Sequence, residues 1–215
     1  MDGVDSGNRG MTQFKGLPGL RAFVCNVAIV LLPWIACGVA AQQVHIETGG
    51  RGEVITVAAS ADLEVDPITV WNTISDYDHL ADFIPDMRVS RVIQRDSDKV
   101  IVEQAGQFRF LFIHQPVDVK LEVTEAPQRH IVARAVGGNL KEFEGRYALE
   151  RLAGGGVRLV YSGRLVPDFP VPPVIGAIVV RSILAKQFTA LVTEIMRRDA
   201  AGKRVEAPPA RTPRP

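Results

Sequence analysis

The feature that most limits the fold is a long run, from Met87 to Val166, in which apolar side chains recur at every second position. Its clearest part is residues 117–123, where apolar residues at the odd positions alternate with polar residues between them. A side-chain period of two is that of a β-strand with one buried face and one face in water. Short breaks such as Gly154-Gly155-Gly156 have the length of hairpin turns. The run therefore predicts six strands in an antiparallel meander.

Helical signals stand on both sides of this run. Asp66-Pro67 predicts a helix start, because aspartate caps a helix and proline fits its first turn. We expect short helices over 67–75 and 76–81, after a first strand over 54–63, and a long helix from about Val174 to Arg198. This order predicts an α+β fold, in which one curved antiparallel sheet wraps around the long C-terminal helix and two short helices follow the first strand.

The start of the chain has the composition of an export leader. Residues 22–41 carry no charge, Lys15 and Arg21 precede them, and small residues end the run at Ala41. This order predicts a signal peptide over residues 1–41 that is cleaved after Ala41. Two alternatives are a retained membrane anchor formed by residues 22–41, since about 20 apolar residues can span a bilayer, and a lipoprotein modified at Cys37.

The remaining segments differ in composition. Residues 42–51 are interpreted as a short polar lead-in and residues 52–200 as a single folded domain. Residues 201–215 end in a Pro-rich stretch without periodicity, which predicts a disordered tail. The sequence therefore predicts one folded domain between two extensions.

Charge and cysteine content argue against several classes of function. The chain has 25 Lys and Arg residues against 24 Asp and Glu residues, and this near balance argues against a nucleic-acid binder with a large basic surface. Both cysteines, Cys25 and Cys37, lie in the predicted leader, which leaves the mature chain without a disulfide, a thiol nucleophile or a Cys-ligated metal. The four histidines are scattered, and the acidic residues from Asp76 to Asp86 are interpreted as helix caps and hydrated surface. We therefore predict no metal, no cofactor and no catalytic residues.

Three stretches carry a resemblance to a known family. They are Val70–Tyr77 with Phe83-Ile84-Pro85, Gly138–Gly145, and Tyr161 with Pro167–Pro172. These stretches are similar to the START-like (helix-grip, SRPBCC) superfamily, in its polyketide cyclase/dehydrase and lipid-transport branch, which includes coenzyme-Q-binding START-like proteins. The resemblance covers residues 54–198. It implies a helix-grip fold with an apolar cavity between the sheet and the long helix, open near the N-terminal end of that helix.

Aromatic residues of the sheet are expected to line this cavity. The phenylalanines at 108, 110 and 112 are out of phase with residues 117–123, so we expect a β-bulge near Pro116. The residues predicted to contact the ligand are Phe83, Phe110, Phe112, Val119, Phe143, Tyr147, Tyr161, Ile175, Ile178 and Val179.

The sequence and the resemblance together favour a binding function. We predict an exported, non-catalytic domain, periplasmic or secreted, that binds or carries a lipid or other hydrophobic small molecule, such as a quinone-like or acyl ligand. Transient contact with a membrane surface is part of this hypothesis, and binding of nucleic acid is not. The alternatives are an aromatase/cyclase-like enzyme that acts on a polyketide or aromatic substrate, and a protein-interaction module.

Overall fold

The computed structural model describes residues 44–51, 53–110, 113–168 and 173–206. The predicted signal peptide and the last part of the predicted tail lie outside the described residues. The helices are α1, Pro67–Ile74; a 3₁₀ helix, Tyr77–Asp82; and α2, Pro173–Glu206. The strands are β1, His45–Arg51; β2, Val54–Leu63; β3, Met87–Arg95; β4, Val100–Phe110; β5, Ile113–Ala126; β6, His130–Gly138; β7, Leu140–Arg151; and β8, Val157–Pro167.

The eight strands form one antiparallel sheet in the order β1-β2-β8-β7-β6-β5-β4-β3. Strands β3 to β8 follow one another as a meander, and the β1–β2 hairpin joins it through the pairing of β2 with β8. The pairing shifts register between β3 and β4, between β5 and β6 at Lys120/Leu121, and between β7 and β8. Such irregularities bend strands and increase their twist, which gives the sheet its curvature.

One face of the sheet and one face of α2 form the hydrophobic core. In β2 every second residue is buried, from Ile55 to Leu63, which is the alternation expected of a strand with one wet face. The buried residues of α2 are spaced as the stripe of an amphipathic helix. They are Leu184, Phe188, Leu191, Val192 and Ile195. The long helix therefore packs its second half against the sheet.

Polar contacts fix α1 against the far end of α2. The Asp66 side chain caps α1 by accepting a hydrogen bond from the Ile68 amide at 2.8 Å, and Pro67 occupies the first turn. The Asp66 amide donates to the carboxylate of Asp199, which is only 7% exposed, at 3.1 Å. Lys203 lies 2.6 Å from the same carboxylate. A buried carboxylate with these partners anchors the helix pair, because each charge or donor has an opposite partner.

The acidic cluster after α1 is also held by structural contacts. Asp76 accepts from His79 at 2.6 Å and from Arg198 of α2 at 2.8 Å. Burial raises the pKa of Asp76, but the hydrogen bonds from His79 and Arg198 outweigh it and leave that pKa below its ordinary value. Asp78 accepts from the Val92 amide at 2.7 Å. Within the described ranges no group of three or more acidic residues and histidines is arranged to hold a metal ion.

The predicted α+β architecture is confirmed, with two changes of boundary. Residues interpreted as a lead-in include strand β1, which pairs with β2 from His45↔Ser60 to Arg51↔Val54; the short helices therefore follow the second strand. The long helix continues to Glu206 instead of ending at Arg198, so it takes residues 201–206 from the predicted tail. The extension carries the Asp199–Lys203 pair one turn apart, and such a pair favours helix.

The bulge expected near Pro116 is not present. The β4–β5 pairing runs without a register shift from Val100↔Val123 to Phe110↔Ile113. The change of phase between the phenylalanines of β4 and residues 117–123 follows from this register, in which each even-numbered residue of β4 lies opposite an odd-numbered residue of β5. Among the described residues, no helix is both long and apolar enough to span a bilayer.

Candidate ligand-binding cavity

A cavity of about 390 Å³ lies between the sheet and α2. Its wall takes residues from β2, from β4 to β8, from α1 and the 3₁₀ helix, and from α2. Small-molecule pockets commonly have volumes of about 300–1,000 Å³. The space is therefore large enough for one small ligand.

Most of the wall is apolar. Buried strand residues such as Val57, Val102, Leu121 and Ile131 face the cavity, and Leu184 faces it from α2. These residues lie at alternate strand positions, so the period of two that builds the core also points them at the cavity. An apolar wall excludes water and favours an apolar ligand.

Several polar side chains of the wall already have protein partners. The Tyr77 hydroxyl donates to Glu125 at 2.7 Å, and burial together with that hydrogen bond raises the pKa of Tyr77 well above its ordinary value. The side-chain amide of Gln104 donates to the Ser90 hydroxyl at 3.2 Å, and the side-chain amide of Gln187 donates to the Pro85 carbonyl at 3.4 Å. These groups brace the wall.

Tyr147 and Tyr161 form an aromatic pair in the wall. They lie opposite each other on β7 and β8, with ring centroids 4.7 Å apart and ring planes at 42°. Burial and the neighbouring Tyr161 raise the pKa of Tyr147 well above its usual range, and burial raises the pKa of Tyr161 to about 12. Both phenols therefore stay neutral near pH 7 and present O–H groups.

Two glycines make room for this pair. Gly145 and Gly163 face each other across β7 and β8. A Cβ atom on Gly163 would lie 2.8 Å from the Tyr161 hydroxyl oxygen, and one on Gly145 would lie 3.2 Å from it. A Cβ atom on Gly163 would therefore collide with the hydroxyl, and one on Gly145 would crowd it, so the two glycines leave space over the backbone for the Tyr161 hydroxyl.

The segment before β3 closes one part of the wall against α2. Asp86, which lines the cavity, adopts a left-handed backbone conformation with φ 65°, and its carboxylate lies 3.5 Å from the Lys186 ammonium group. The Asp86 carbonyl accepts from the Gln107 amide at 2.9 Å, and a Cβ atom on Gly106 would lie 2.4 Å from that carbonyl oxygen. Gly106 thus allows the two backbones to meet.

With this geometry in place, comparison with known proteins identifies the family. Residues 63–192 match the family described as polyketide cyclase / dehydrase and lipid transport. The chain belongs to this family. No curated protein sequence matches the chain.

Several solved structures have the same fold as this member of the polyketide cyclase/dehydrase and lipid-transport family. A STAR-related lipid transfer protein fragment from Xanthomonas axonopodis is 14% identical with a TM-score of 0.60, over 73% of this chain and 94% of that one. The Zhui aromatase/cyclase from Streptomyces sp. R1128 is 14% identical with a TM-score of 0.56, over 72% and 96%. A START superfamily protein from Mycobacterium smegmatis is 14% identical with a TM-score of 0.57, over 66% and 97%. These likenesses confirm the START-like helix-grip fold.

The structure of this family member brings half of the predicted ligand contacts into the cavity wall. They are Val119, Phe143, Tyr147, Tyr161 and Val179. Their contact with a ligand stays a prediction. Phe112 lies outside the described residues, and the side chains of Phe110 in β4 and Ile175 in α2 are also outside them.

Phe83 and Ile178 are not among the described residues that line the cavity. Phe83 follows the 3₁₀ helix and turns toward the second half of α2, where the Arg198 guanidinium group lies 5.5 Å from its ring centroid. Ile178 is 56% exposed, whereas Val179 and Val180 line the cavity. Successive helix residues differ by about 100° in direction, so an apolar run does not by itself tell which of its members faces inward.

Other wall residues were missed by the sequence analysis. Gly145 lines the wall, and Gly163 lies opposite it on β8. Both carry a readable signal, because each lies two positions from a tyrosine of the same strand and therefore on the same face. Gln104 and Gln187 also line the wall. Each directly follows a charged residue, Glu103 or Lys186, so only the folded arrangement shows that these glutamines lie next to a cavity.

Proposed function

We propose that this protein binds or carries a lipid or other hydrophobic small molecule in the cavity between the sheet and α2, and that it does so without catalysis. The observation that carries the proposal is an apolar wall around about 390 Å³ of space. Burial of roughly 300 Å² of apolar ligand surface would contribute about 7.5 kcal/mol, before the entropic costs of binding are subtracted. That free energy supports reversible binding.

Proton-transfer chemistry is less well supported by the wall. An aromatase or cyclase needs an acid or base that titrates near the working pH. The pKa of Tyr161 is raised to about 12, and that of Tyr147 is also raised. The Asp86 carboxylate lies next to Lys186 and is the remaining charged group among the described wall residues. The named aromatase/cyclase neighbour therefore argues for a shared fold and not for a shared reaction.

Binding is tested by filling the cavity from one strand. Ala133 of β6 lines the cavity, and Ala133→Phe would place a phenyl ring in the ligand space. We expect the affinity for the neutral fluorescent probe N-phenylnaphthylamine to fall by roughly tenfold or more, since the ring and the probe compete for the same volume. Fluorescence titration of the folded variant measures this change.

The matched control is Val136→Phe. Val136 lies on the same strand and is 54% exposed, so the added ring stays outside the cavity and probe affinity should be unchanged. Thermal unfolding of both variants verifies that they are folded. If folded Ala133→Phe binds the probe as tightly as the wild type, the hydrophobic site is not this cavity and the proposal fails.

We further propose that the protein is exported, with residues 1–41 removed, and that it makes transient contact with a membrane surface. Export is supported by the order of residues at the start of the chain. Lys15 and Arg21 precede the uncharged run 22–41, and this run ends in small residues up to Ala41. We expect the intact mass of protein from the producing cell to correspond to a chain that starts at Gln42. A mass that retains residues 22–41 would instead support a membrane-anchored form.

A further inference from the structure

The hydroxyl groups of Tyr147 and Tyr161 have no hydrogen-bond partner among the described residues. The rings face the cavity from neighbouring strands, yet neither hydroxyl makes a hydrogen bond to any residue within 44–51, 53–110, 113–168 and 173–206. The other wall tyrosine, Tyr77, does have such a partner, in Glu125. Polar groups turned away from solvent are costly unless they are hydrogen-bonded. Two neutral O–H donors in an apolar wall therefore point to an acceptor that a ligand supplies.

The charges of the wall narrow the class of that ligand. Among the described residues the wall has no Lys, Arg or His side chain, and its single carboxylate, Asp86, already lies against Lys186. A carboxylate or phosphate group taken into this space would lose its hydration without gaining an opposite charge. The acceptor that reaches the tyrosines is therefore an uncharged oxygen.

We propose that the cavity selects a neutral hydrophobic ligand with a hydrogen-bond-accepting oxygen, such as the carbonyl of an ester, ketone or quinone, and that Tyr147 and Tyr161 donate to that oxygen. This inference rests on the proposed binding function and adds the chemical class of the ligand. The raised pKa of both phenols supports it, because a neutral phenol keeps the proton that it must donate.

The glycine pair makes the same site specific. Gly145 and Gly163 let the Tyr161 hydroxyl lie close to the strand backbones. A donor held in one position in the wall distinguishes ligands that can accept a hydrogen bond from those that cannot. An alkane would fill the same space but leave both hydroxyls unpaired.

The test compares three probes of similar length with the full mature chain. They are methyl decanoate, which carries a neutral carbonyl; undecane, which carries none; and decanoate at pH 8, which is charged. Each displaces N-phenylnaphthylamine from the wild type and from Tyr147→Phe, Tyr161→Phe and the double variant. Phenylalanine keeps the ring and removes only the donor, so the shape of the wall is preserved.

We expect the ratio of ester affinity to alkane affinity to fall by roughly 3- to 10-fold in each single variant, and further in the double variant. Undecane affinity should change less than about twofold, and decanoate should bind more weakly than its methyl ester. The infrared carbonyl stretch of an isotope-labelled ester should lie at lower frequency when bound to the wild type, and should return toward the unbonded value in the double variant.

Three results would overturn the inference. The first is an ester-to-alkane ratio that is the same in the wild type and the double variant. The second is tighter binding of decanoate than of its ester. The proposed binding function survives both of these, because it requires only that a hydrophobic probe enters the cavity. The third is a wild type that binds none of the probes, and this result removes the proposed function as well.

Discussion

Phe188→Ala is expected to lower the free energy of unfolding by about 3–5 kcal/mol. Phe188 is 1% exposed and belongs to the core that α2 forms with the sheet. Removal of the ring takes away its transfer free energy and leaves a void that the surrounding strands fill only in part. Chemical denaturation of the wild type and of Phe188→Ala measures the difference. It is read from the shift in the denaturant midpoint when the denaturant dependence (the m-value) is the same for both proteins.

Ile178→Ala is the control for this substitution, because it truncates an apolar residue of the same helix that is 56% exposed. We expect a change of less than about 0.5 kcal/mol, as for most surface substitutions. If both variants lose the same stability, the buried stripe of α2 has been assigned to the wrong face.

The second large loss of stability is expected on substitution of Gly138, the last residue of β6 before β7. Gly138 has φ 109°, and a Cβ atom there would lie 2.1 Å from the Asp118 carbonyl oxygen. Asn139 holds this turn against β5, since its side chain accepts from the Asp118 amide at 3.1 Å and donates to the Pro116 carbonyl at 2.9 Å. Gly138→Ala should therefore cost at least about 2 kcal/mol, from backbone strain and from collision with a backbone that the turn cannot release.

A substitution at Gly155 distinguishes the cost of backbone strain from the cost of the collision. The φ of this glycine is also positive, at 95°, but among the described residues no atom lies within 4 Å of a Cβ built there. Gly155→Ala should cost about 1 kcal/mol, the strain of the left-handed backbone alone. Thermal unfolding of the two variants gives the comparison, and equal losses would mean that the close approach at Asp118 is relieved without cost.

Local patterns predicted most of the fold. The alternation of residues 117–123 predicted β5, and Asp66-Pro67 predicted α1, because each pattern is a direct consequence of strand or helix geometry. β1 escaped prediction since it is an edge strand that contains Gly49-Gly50 and is defined by its pairing with β2. The predicted end of α2 came too early in the chain. The contacts of Asp199 with Lys203 and with the Asp66 amide, which hold this part of the helix, are not visible in the sequence.

The cavity was less predictable than the fold. Tyr147 and Tyr161 were predicted because strand alternation assigns a residue to one of two faces, and the resemblance showed which face to choose. Ile178 illustrates the difficulty in a helix, where an apolar run gives no phase until the sheet is in place. Phe83 lies beyond the regular elements, and its direction depends on the contact with Arg198.

The pairing of β2 with β8 determines when the domain can fold. Ile55 near the start of the domain lies opposite Leu165 near its end, and an isolated hairpin such as β1–β2 is marginally stable in water. During synthesis, β1 and β2 are therefore made long before β8, the strand with which β2 pairs. Long-range closure of this kind slows folding, so we expect the β1–β2 hairpin to join the sheet only after β8 has been made.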